Sequence, residues 1–254
     1  MVRIGPNTLL PARREAVTLH TGDGLRLVGE LALPADRAPV ATVVLLHPLP
    51  THGGMMDSHV LRKAAFRLPA LAGLAVLRFN TRGAVSEAGR SEGTFGAAEG
   101  ERLDVAAALD FVRARELPRV WLAGWSFGSD LALMHGISEA RDLVQGLVLI
   151  APPLRWSSPE QRAAWAPTGK PVVALVPEFD DYRLPDDVRE GCAMIPQARV
   201  ITLPDAGHLL VGHADAVLDH LVSVVAPETP TPLPRDWDGD CENRQVTIVD
   251  SERR

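Results

Sequence analysis

The chain has 254 residues, of which 46% are apolar and 23% are charged, and its formal net charge is -6 at pH 7. Such a chain is long enough for one large α/β domain with a sizeable core. A mildly acidic chain without clusters of Lys and Arg gives no support for binding to nucleic acid or to a membrane surface. No stretch approaches the roughly 20 apolar residues of a membrane span, and we find no signal-peptide core. With only two cysteines, Cys192 and Cys241, the chain is predicted to be cytoplasmic.

Predicted strands and helices alternate along the chain. Two runs in 16–33, joined by a glycine-rich turn, predict an antiparallel hairpin. Runs rich in Val, Ile and Leu predict buried strands at 40–46, 74–80, 120–124, 143–150, 171–176 and 199–203. Apolar residues at helical spacing predict helices at 55–68, from residue 98, after Ser126 and at 214–225. We expect Pro69 and Gly73 to end the first of these helices.

This alternation predicts an α/β domain over residues 15–226, preceded by an N-terminal extension at 1–14. Its core is a mostly parallel sheet of about eight strands with helices on both faces, and its site lies at the C-terminal ends of the strands. The proline-rich segment 152–169 is interpreted as a small lid or a plain surface crossover. The proline-rich, acidic segment 227–254 is predicted to be an unstructured tail.

The sequence Gly124-Trp-Ser-Phe-Gly128 falls between a predicted strand and a predicted helix. A G-x-S-x-G pattern in that position is typical of a nucleophile elbow, whose strained turn lifts the serine oxygen clear of the sheet. The alternative is an ordinary turn that happens to contain these residues. A serine hydroxyl is a weak nucleophile, so Ser126 would need a base to take its proton and a third group to orient that base.

The loops after the last two predicted strands offer this base and this acid. Of the eight histidines, His208 lies on the loop that follows the final strand. Asp180 is the preferred acid and Asp181 the close competitor, both on the loop after the strand at 171–176. The chain order serine, acid, histidine is that of the α/β-hydrolase arrangement.

A hydrolase also needs N–H donors for the oxyanion that forms on the substrate. The backbone N–H of Phe127, directly after the candidate serine, is the first predicted donor. The second is expected on the loop after the strand at 40–46. In His47-Pro-Leu-Pro50 the prolines have no N–H and His47 still belongs to the strand end, so Leu49 is the predicted donor. We interpret His47 as a structural residue that bonds nearby backbone.

Five motifs carry a resemblance to a known family: H-P-x-P at 47–50, G-G-x-M at 53–56, R-F-N-x-R-G at 78–83, G-E-x-x-D at 100–104 and G-x-S-F-G at 124–128. Over about 15–226 the chain resembles the α/β-hydrolase superfamily, and within it a small bacterial branch of serine hydrolases. It departs from that branch by an insertion at 84–88 and by Phe179, where the acid motif usually has histidine. Arg82 and Asp104 match the motifs and are expected to tie a loop to a helix.

The sequence thus predicts a serine hydrolase that cleaves an ester-like acyl bond of a small molecule through Ser126, His208 and Asp180 and an acyl-enzyme intermediate. No cofactor or metal is implied. Thioester hydrolysis, peptide hydrolysis or cofactor-free lyase chemistry by the same triad is one alternative. A non-catalytic binding protein on the same fold is the other.

Overall fold

The computed structural model describes residues 1–244, and an eight-stranded sheet lies at its centre. In chain order the strands are β1 (Arg13–His20), β2 (Arg26–Leu33), β3 (Ala41–Leu46), β4 (Leu74–Phe79), β5 (Val120–Trp125), β6 (Val144–Ile150), β7 (Val172–Phe179) and β8 (Ala198–Gly207). Their order across the sheet is β8-β7-β6-β5-β3-β4-β2-β1. β2 pairs antiparallel with β1 and β4, and the other neighbours pair parallel. The predicted mostly parallel sheet of about eight strands is confirmed.

Helices cover both faces of this sheet. They are α1 (His59–Ala72), α2 (Glu101–Ala114), α3 (Phe127–Ala140), α4 (Pro159–Ala163), α5 (Pro185–Gly191) and α6 (Ala214–Val225). α2 and α3 pack in one apolar core and α1 and α6 in the other. Strands β3, β4 and β5 are buried along their whole length, which explains why they read as continuous apolar runs rather than alternating ones. In the part of the chain that the structure describes, no helix combines the length and apolar character needed to cross a membrane.

The prediction that Pro69 helps to end the first helix is wrong. Pro69 lies inside α1, which continues to Ala72 and ends at Gly73 in a left-handed conformation with φ of 65°. A proline costs a helix one backbone hydrogen bond. Here Leu68 and Ala72, on either side of it, are buried in the core, and this burial offsets the loss.

Buried side chains anchor the segment 152–169 on the domain. Trp165 is fully buried, and its indole Nε1 donates a hydrogen bond to the carbonyl oxygen of Leu133 in α3 at 2.9 Å. Arg162 is also buried and donates to the carbonyl oxygen of Ser157 at 2.5 Å. The segment therefore forms a packed crossover between β6 and β7, and its first residues reach the cleft described below.

Residues 227–244 differ from the expectation of an unstructured tail. Asp236–Trp237 pairs antiparallel with Val2–Arg3, and Glu242–Asn243 pairs in the same way with Thr8–Leu9. Leu233 in this segment is buried in the core beside α6. That apolar anchor and the two short pairings hold the N-terminal extension and residues 227–244 together. The rest of the predicted tail, 245–254, lies outside the described residues.

Candidate active site

Ser126 occupies the sharp turn between β5 and α3. Its backbone has φ of 53° and ψ of -119°, a conformation that non-glycine residues rarely adopt. Two backbone hydrogen bonds hold this turn: Ser126 N–H donates to the Ile150 carbonyl, and Ser129 N–H donates to the Ser126 carbonyl, both at 2.8 Å. The strained turn presents the hydroxyl of Ser126 at the carboxyl end of the sheet.

The two glycines of the turn are required by close backbone contacts. A Cβ atom on Gly124 would lie 2.1 Å from the carbonyl oxygen of Gly128. A Cβ atom on Gly128 would lie 2.2 Å from the carbonyl oxygen of Leu46, at the end of β3. Both distances are far below van der Waals contact. The spacing of glycine, serine and glycine is therefore dictated by the packing of β5, α3 and β3.

Three of the predicted site residues meet at this edge of the sheet. His208 follows β8 directly, and Asp180 follows β7 directly, so the two parallel neighbours deliver both side chains to the same place. The Nε2 atom of His208 lies 2.9 Å from the Oγ of Ser126, and its Nδ1 lies 2.8 Å from Oδ2 of Asp180. The indole N–H of Trp125 donates to the His208 carbonyl at 3.3 Å and fixes the loop.

Asp180, and not its neighbour Asp181, faces His208. The second oxygen of Asp180 accepts hydrogen bonds from the N–H groups of Tyr182 at 2.8 Å and Arg183 at 3.3 Å. Asp180 is buried, whereas Asp181 is exposed. A carboxylate fixed in this way orients the imidazole so that Nδ1 donates to it and Nε2 accepts a proton from the serine hydroxyl.

The two predicted oxyanion donors line the same cleft. Phe127 is the first residue of α3, and the N–H groups of a helix's first turn have no partner within the helix. Leu49 also lines the cleft, and its carbonyl accepts hydrogen bonds from the N–H groups of His52 and Gly54, both at 3.0 Å. These bonds form a tight turn that fixes the Leu49 backbone in the wall of the cleft.

His47 is structural, as the sequence predicts. Its Nδ1 donates to the carbonyl of Pro48 at 2.6 Å, and its Nε2 accepts from the N–H of Thr81 at 3.0 Å. Complete burial lowers the pKa of His47 to about 4, so the ring is neutral. His47 therefore ties the loop that carries Leu49 to the end of β4.

Arg82 and Asp104 also form the predicted tie between a loop and a helix. Nη2 of Arg82 lies 2.8 Å from Oδ1 of Asp104, and the Arg82 N–H donates to Oδ2 at the same distance. Nη1 of Arg82 also lies 3.0 Å from Asp23. The arginine thereby joins the β1–β2 turn to α2.

Around Ser126 the surface opens into a cleft with a volume of about 260 Å³. Its walls are mainly apolar and aromatic, with Leu49, Trp125, Trp156, Tyr182 and Leu209 contributing side chains. The ring centre of Tyr182 lies 4.3 Å from that of His208. The segment 152–169 contributes Pro153, Arg155 and Trp156 to one wall.

Sequence reasoning missed Asp130, a fully buried acid one turn into α3. Its carboxylate accepts hydrogen bonds from the backbone N–H groups of Arg155 at 3.1 Å, Trp156 at 3.2 Å and Ser157 at 3.1 Å, and from the Ser157 hydroxyl at 2.5 Å. It thus anchors the cleft wall to the helix that begins at the elbow. The available signal was a single carboxylate within the apolar start of a buried helix.

Comparisons with known proteins bear on the fold. No family model matches the chain. An uncharacterized protein of Rickettsia prowazekii, RP471, is 31% identical over 159 residues, which span 61% of this chain and 63% of that protein's length. XC6422 from Xanthomonas campestris, described as an α/β serine hydrolase without a lid, is 29% identical with a TM-score of 0.69, over 88% of this chain and 98% of that one. An α/β serine hydrolase homologue from Coxiella burnetii is 25% identical with a TM-score of 0.70, over 84% of this chain and 97% of that one.

A doubly covered sheet with this strand order, carrying a serine on a strained turn between a strand and a helix, defines an α/β hydrolase. The solved structures have the same fold over nearly their whole length. The chain belongs to the α/β-hydrolase superfamily, and its likeness to serine hydrolases supports hydrolase activity in general.

Proposed function

We propose that the chain is a serine hydrolase that cleaves carboxylic esters of small molecules, with Ser126 as nucleophile, His208 as general base and acid, and Asp180 as the group that orients His208. The observation that carries this proposal is the continuous hydrogen-bond chain from the Ser126 hydroxyl through both ring nitrogens of His208 to Asp180. Ser126, at one end of this chain of hydrogen bonds, lines a cleft large enough for an acyl group.

In the first half of the reaction, Oγ of Ser126 attacks the ester carbonyl carbon while His208 Nε2 takes the hydroxyl proton. The carbonyl oxygen becomes an oxyanion, for which the N–H groups of Phe127 and Leu49 are the proposed donors. The bond from carbon to the alcohol oxygen then breaks, and His208 gives its proton to that oxygen. An alcohol leaves, and the acyl group stays on Ser126.

In the second half, a water molecule takes the place of the alcohol. It gives a proton to His208 and attacks the acyl carbon, and the same two N–H groups hold the second oxyanion. Collapse of this intermediate releases the carboxylic acid and returns the proton to Ser126. The hydrogen bond from His208 to Asp180 stabilises the imidazolium that forms transiently in each half.

An ester is favoured by the character of the cleft. Its walls are mainly apolar, which suits an uncharged acyl ester, and it is open to solvent, so a small alcohol can leave and water can enter. Within the segment 152–169, Trp165 is bound to α3 through the carbonyl oxygen of Leu133, which holds this part of the segment on the domain.

Hydrolysis of p-nitrophenyl butyrate by purified protein tests this proposal. We expect turnover by the wild type, and a loss of at least about 10³-fold in kcat for Ser126→Ala, since the nucleophile is removed. Ser138→Ala is the matched control, because Ser138 is exposed on the same helix, and it should retain full activity. Turnover by S126A at the wild-type rate, or no turnover by the wild type on a panel of esters, would overturn the proposal.

We also propose a cytoplasmic location. Cys192 and Cys241 are both free, and burial raises the pKa of the Cys192 thiol to about 11, which keeps it neutral and unreactive. Fractionation of cells that produce the protein with an epitope tag tests this. Recovery with the soluble cytoplasmic marker is expected, and recovery with a secreted marker would contradict it.

A further inference from the structure

Arg155 is the charged side chain among the described residues that line the cleft, and the carboxylate of Asp130 lies buried behind the same wall. Arg155 lines the cleft, and none of the described residues that line it is an Asp or a Glu. Asp180 lies behind His208 and is buried, so it does not face the cleft. A second guanidinium lies near the same wall, where Nε of Arg183 donates to the carbonyl oxygen of Pro153 at 3.2 Å. This wall therefore favours an anionic group on a ligand.

The backbone of Arg155 is anchored, and its side chain is exposed beside the cleft. Its backbone N–H donates to Asp130, and its guanidinium carbon lies 5.9 Å from the ring centre of Trp156. Within residues 1–244 its side chain takes part in none of the ion pairs. A planar guanidinium that lies near an aromatic ring and has no ion-pair partner is suited to bind a carboxylate through two parallel hydrogen bonds.

Aromatic contacts place this arginine on one particular side of the site. Trp156, next to Arg155, packs edge-on against Phe127 with ring centres 5.6 Å apart, and Phe127 carries a proposed oxyanion donor. Tyr182 packs against His208, with ring centres 4.3 Å apart. Because His208 must give its proton to the departing alcohol, the alcohol lies on the His208 and Tyr182 side. An acyl chain directed away from His208 would extend over Phe127 and Trp156 toward Arg155.

We propose that Arg155 binds a free carboxylate at the far end of the acyl chain, so that the preferred substrates are monoesters of dicarboxylic acids. This inference rests on the proposed function. The chemical steps are those already described: the ester bond breaks, water adds, and the products are an alcohol and a dicarboxylic acid. The far carboxylate is unchanged throughout and serves only to position the acyl group.

The test compares two substrates that differ in one group. One is the p-nitrophenyl monoester of adipic acid. The other is p-nitrophenyl 6-methylheptanoate, in which an isopropyl group replaces the free carboxylate at equal chain length. The measured quantity is the ratio of kcat/KM for the charged ester to that for the neutral ester. We expect the wild type to favour the charged ester by about five-fold or more, the size of one partly exposed ion pair.

Variants then assign this preference to one residue. Arg155→Gln should reduce the ratio by about five-fold. Arg155→Lys keeps the positive charge but not the planar guanidinium, and it should retain part of the preference for the charged ester. Arg199→Gln is the matched control, because Arg199 is exposed at the amino end of β8, away from the cleft, and it should leave the ratio unchanged. Added salt should lower the wild-type ratio and have little effect on the R155Q ratio.

The outcomes separate this inference from the proposed function. If the wild type hydrolyses the neutral ester as well as the charged one, or if R155Q and R199Q change the ratio equally, the role of Arg155 is refuted while the hydrolase remains. A further substrate, 4-carboxyphenyl butyrate, carries its carboxylate on the alcohol instead of the acyl chain. If the preference for a charged substrate is found with this ester and depends on Arg155, the assignment of Arg155 to the acyl side is refuted. Absence of hydrolysis for every ester overturns the proposed function and this inference together.

Discussion

Gly128 and Leu46 are in such close contact that a Cβ atom on the glycine would lie 2.2 Å from the leucine's carbonyl oxygen. Gly128→Ala should therefore force the start of α3 away from β3 and lower the free energy of unfolding by about 1–3 kcal/mol or more. Urea denaturation measures this change. Gly22→Ala is the control, since its Cβ would meet only Leu103, at 3.8 Å. Equal stability of G128A and the wild type would contradict the contact.

The neighbouring acids Asp180 and Asp181 should differ sharply in their effect on ester hydrolysis. Asp180→Asn replaces the acceptor of the His208 Nδ1 hydrogen bond by an amide, which favours the wrong tautomer of the ring, and kcat should fall by about 10³- to 10⁴-fold. Asp181→Asn alters an exposed side chain and should keep wild-type kcat. If the two variants lose activity equally, or if only D181N does, the assignment of Asp180 is wrong.

We expect Asp130 to stabilise the protein, because it anchors one wall of the cleft to α3. In the wild type the donors are backbone N–H groups that bind both oxygens of the Asp130 carboxylate. Asp130→Asn replaces one of these oxygens by an NH₂ group, which leaves part of the donors unpaired. The free energy of unfolding should fall by about 1–3 kcal/mol. Asp142→Asn, at an exposed position, is the control and should cost less than about 0.5 kcal/mol. Thermal and urea unfolding measure both variants. A D130N protein as stable as the control would show that these hydrogen bonds contribute nothing.

Stability should fall as the pH is lowered from 6.5 toward 4, and His47 should account for part of this loss. Burial lowers the pKa of His47 from its usual 6.5 to about 4, so in this range the unfolded chain takes up a proton that the folded chain does not. The full effect of His47 is about 3 kcal/mol, reached near pH 4, and it is absent above about pH 7.

Urea unfolding at a series of pH values measures this slope. His47→Asn, whose amide oxygen accepts the bond from Thr81 but does not titrate, should show a shallower loss of stability over the same range. Identical slopes for H47N and the wild type would mean that the His47 ring does not resist protonation in the folded state.

The strand segments of the sheet and the position of the candidate site could be predicted from the sequence because they depend on patterns that packing enforces. β3, β4 and β5 are buried on both faces, so their residues form uninterrupted apolar runs that stand out from the helices. The glycines on either side of Ser126 are required because close backbone contacts leave no room for a Cβ atom at Gly124 or Gly128. Asp180 and Asp181 could be ranked only weakly, because adjacent residues beyond a strand end carry no pattern that tells which one faces the neighbouring strand.

Other features depend on contacts that no local pattern records. Pro69 is an exception to the rule that proline ends a helix, because the core covers the residues around it. The pairing of Trp237 with Val2 joins segments at opposite ends of the described chain through strands of only two residues, too short for any periodicity. Asp130 is a single buried charge, and its partners are backbone groups of a loop that the sequence does not position.

Mapping the covalent adduct formed with a fluorophosphonate tests the central claim most directly. The reagent phosphonylates a serine that an adjacent base activates, and mass spectrometry of the digested protein identifies that serine. We predict one adduct, on the peptide that contains Ser126, and no adduct in Ser126→Ala or after heat denaturation. An adduct on another serine, or a wild-type protein that remains unlabelled while folded, would contradict the proposal that His208 and Asp180 activate Ser126.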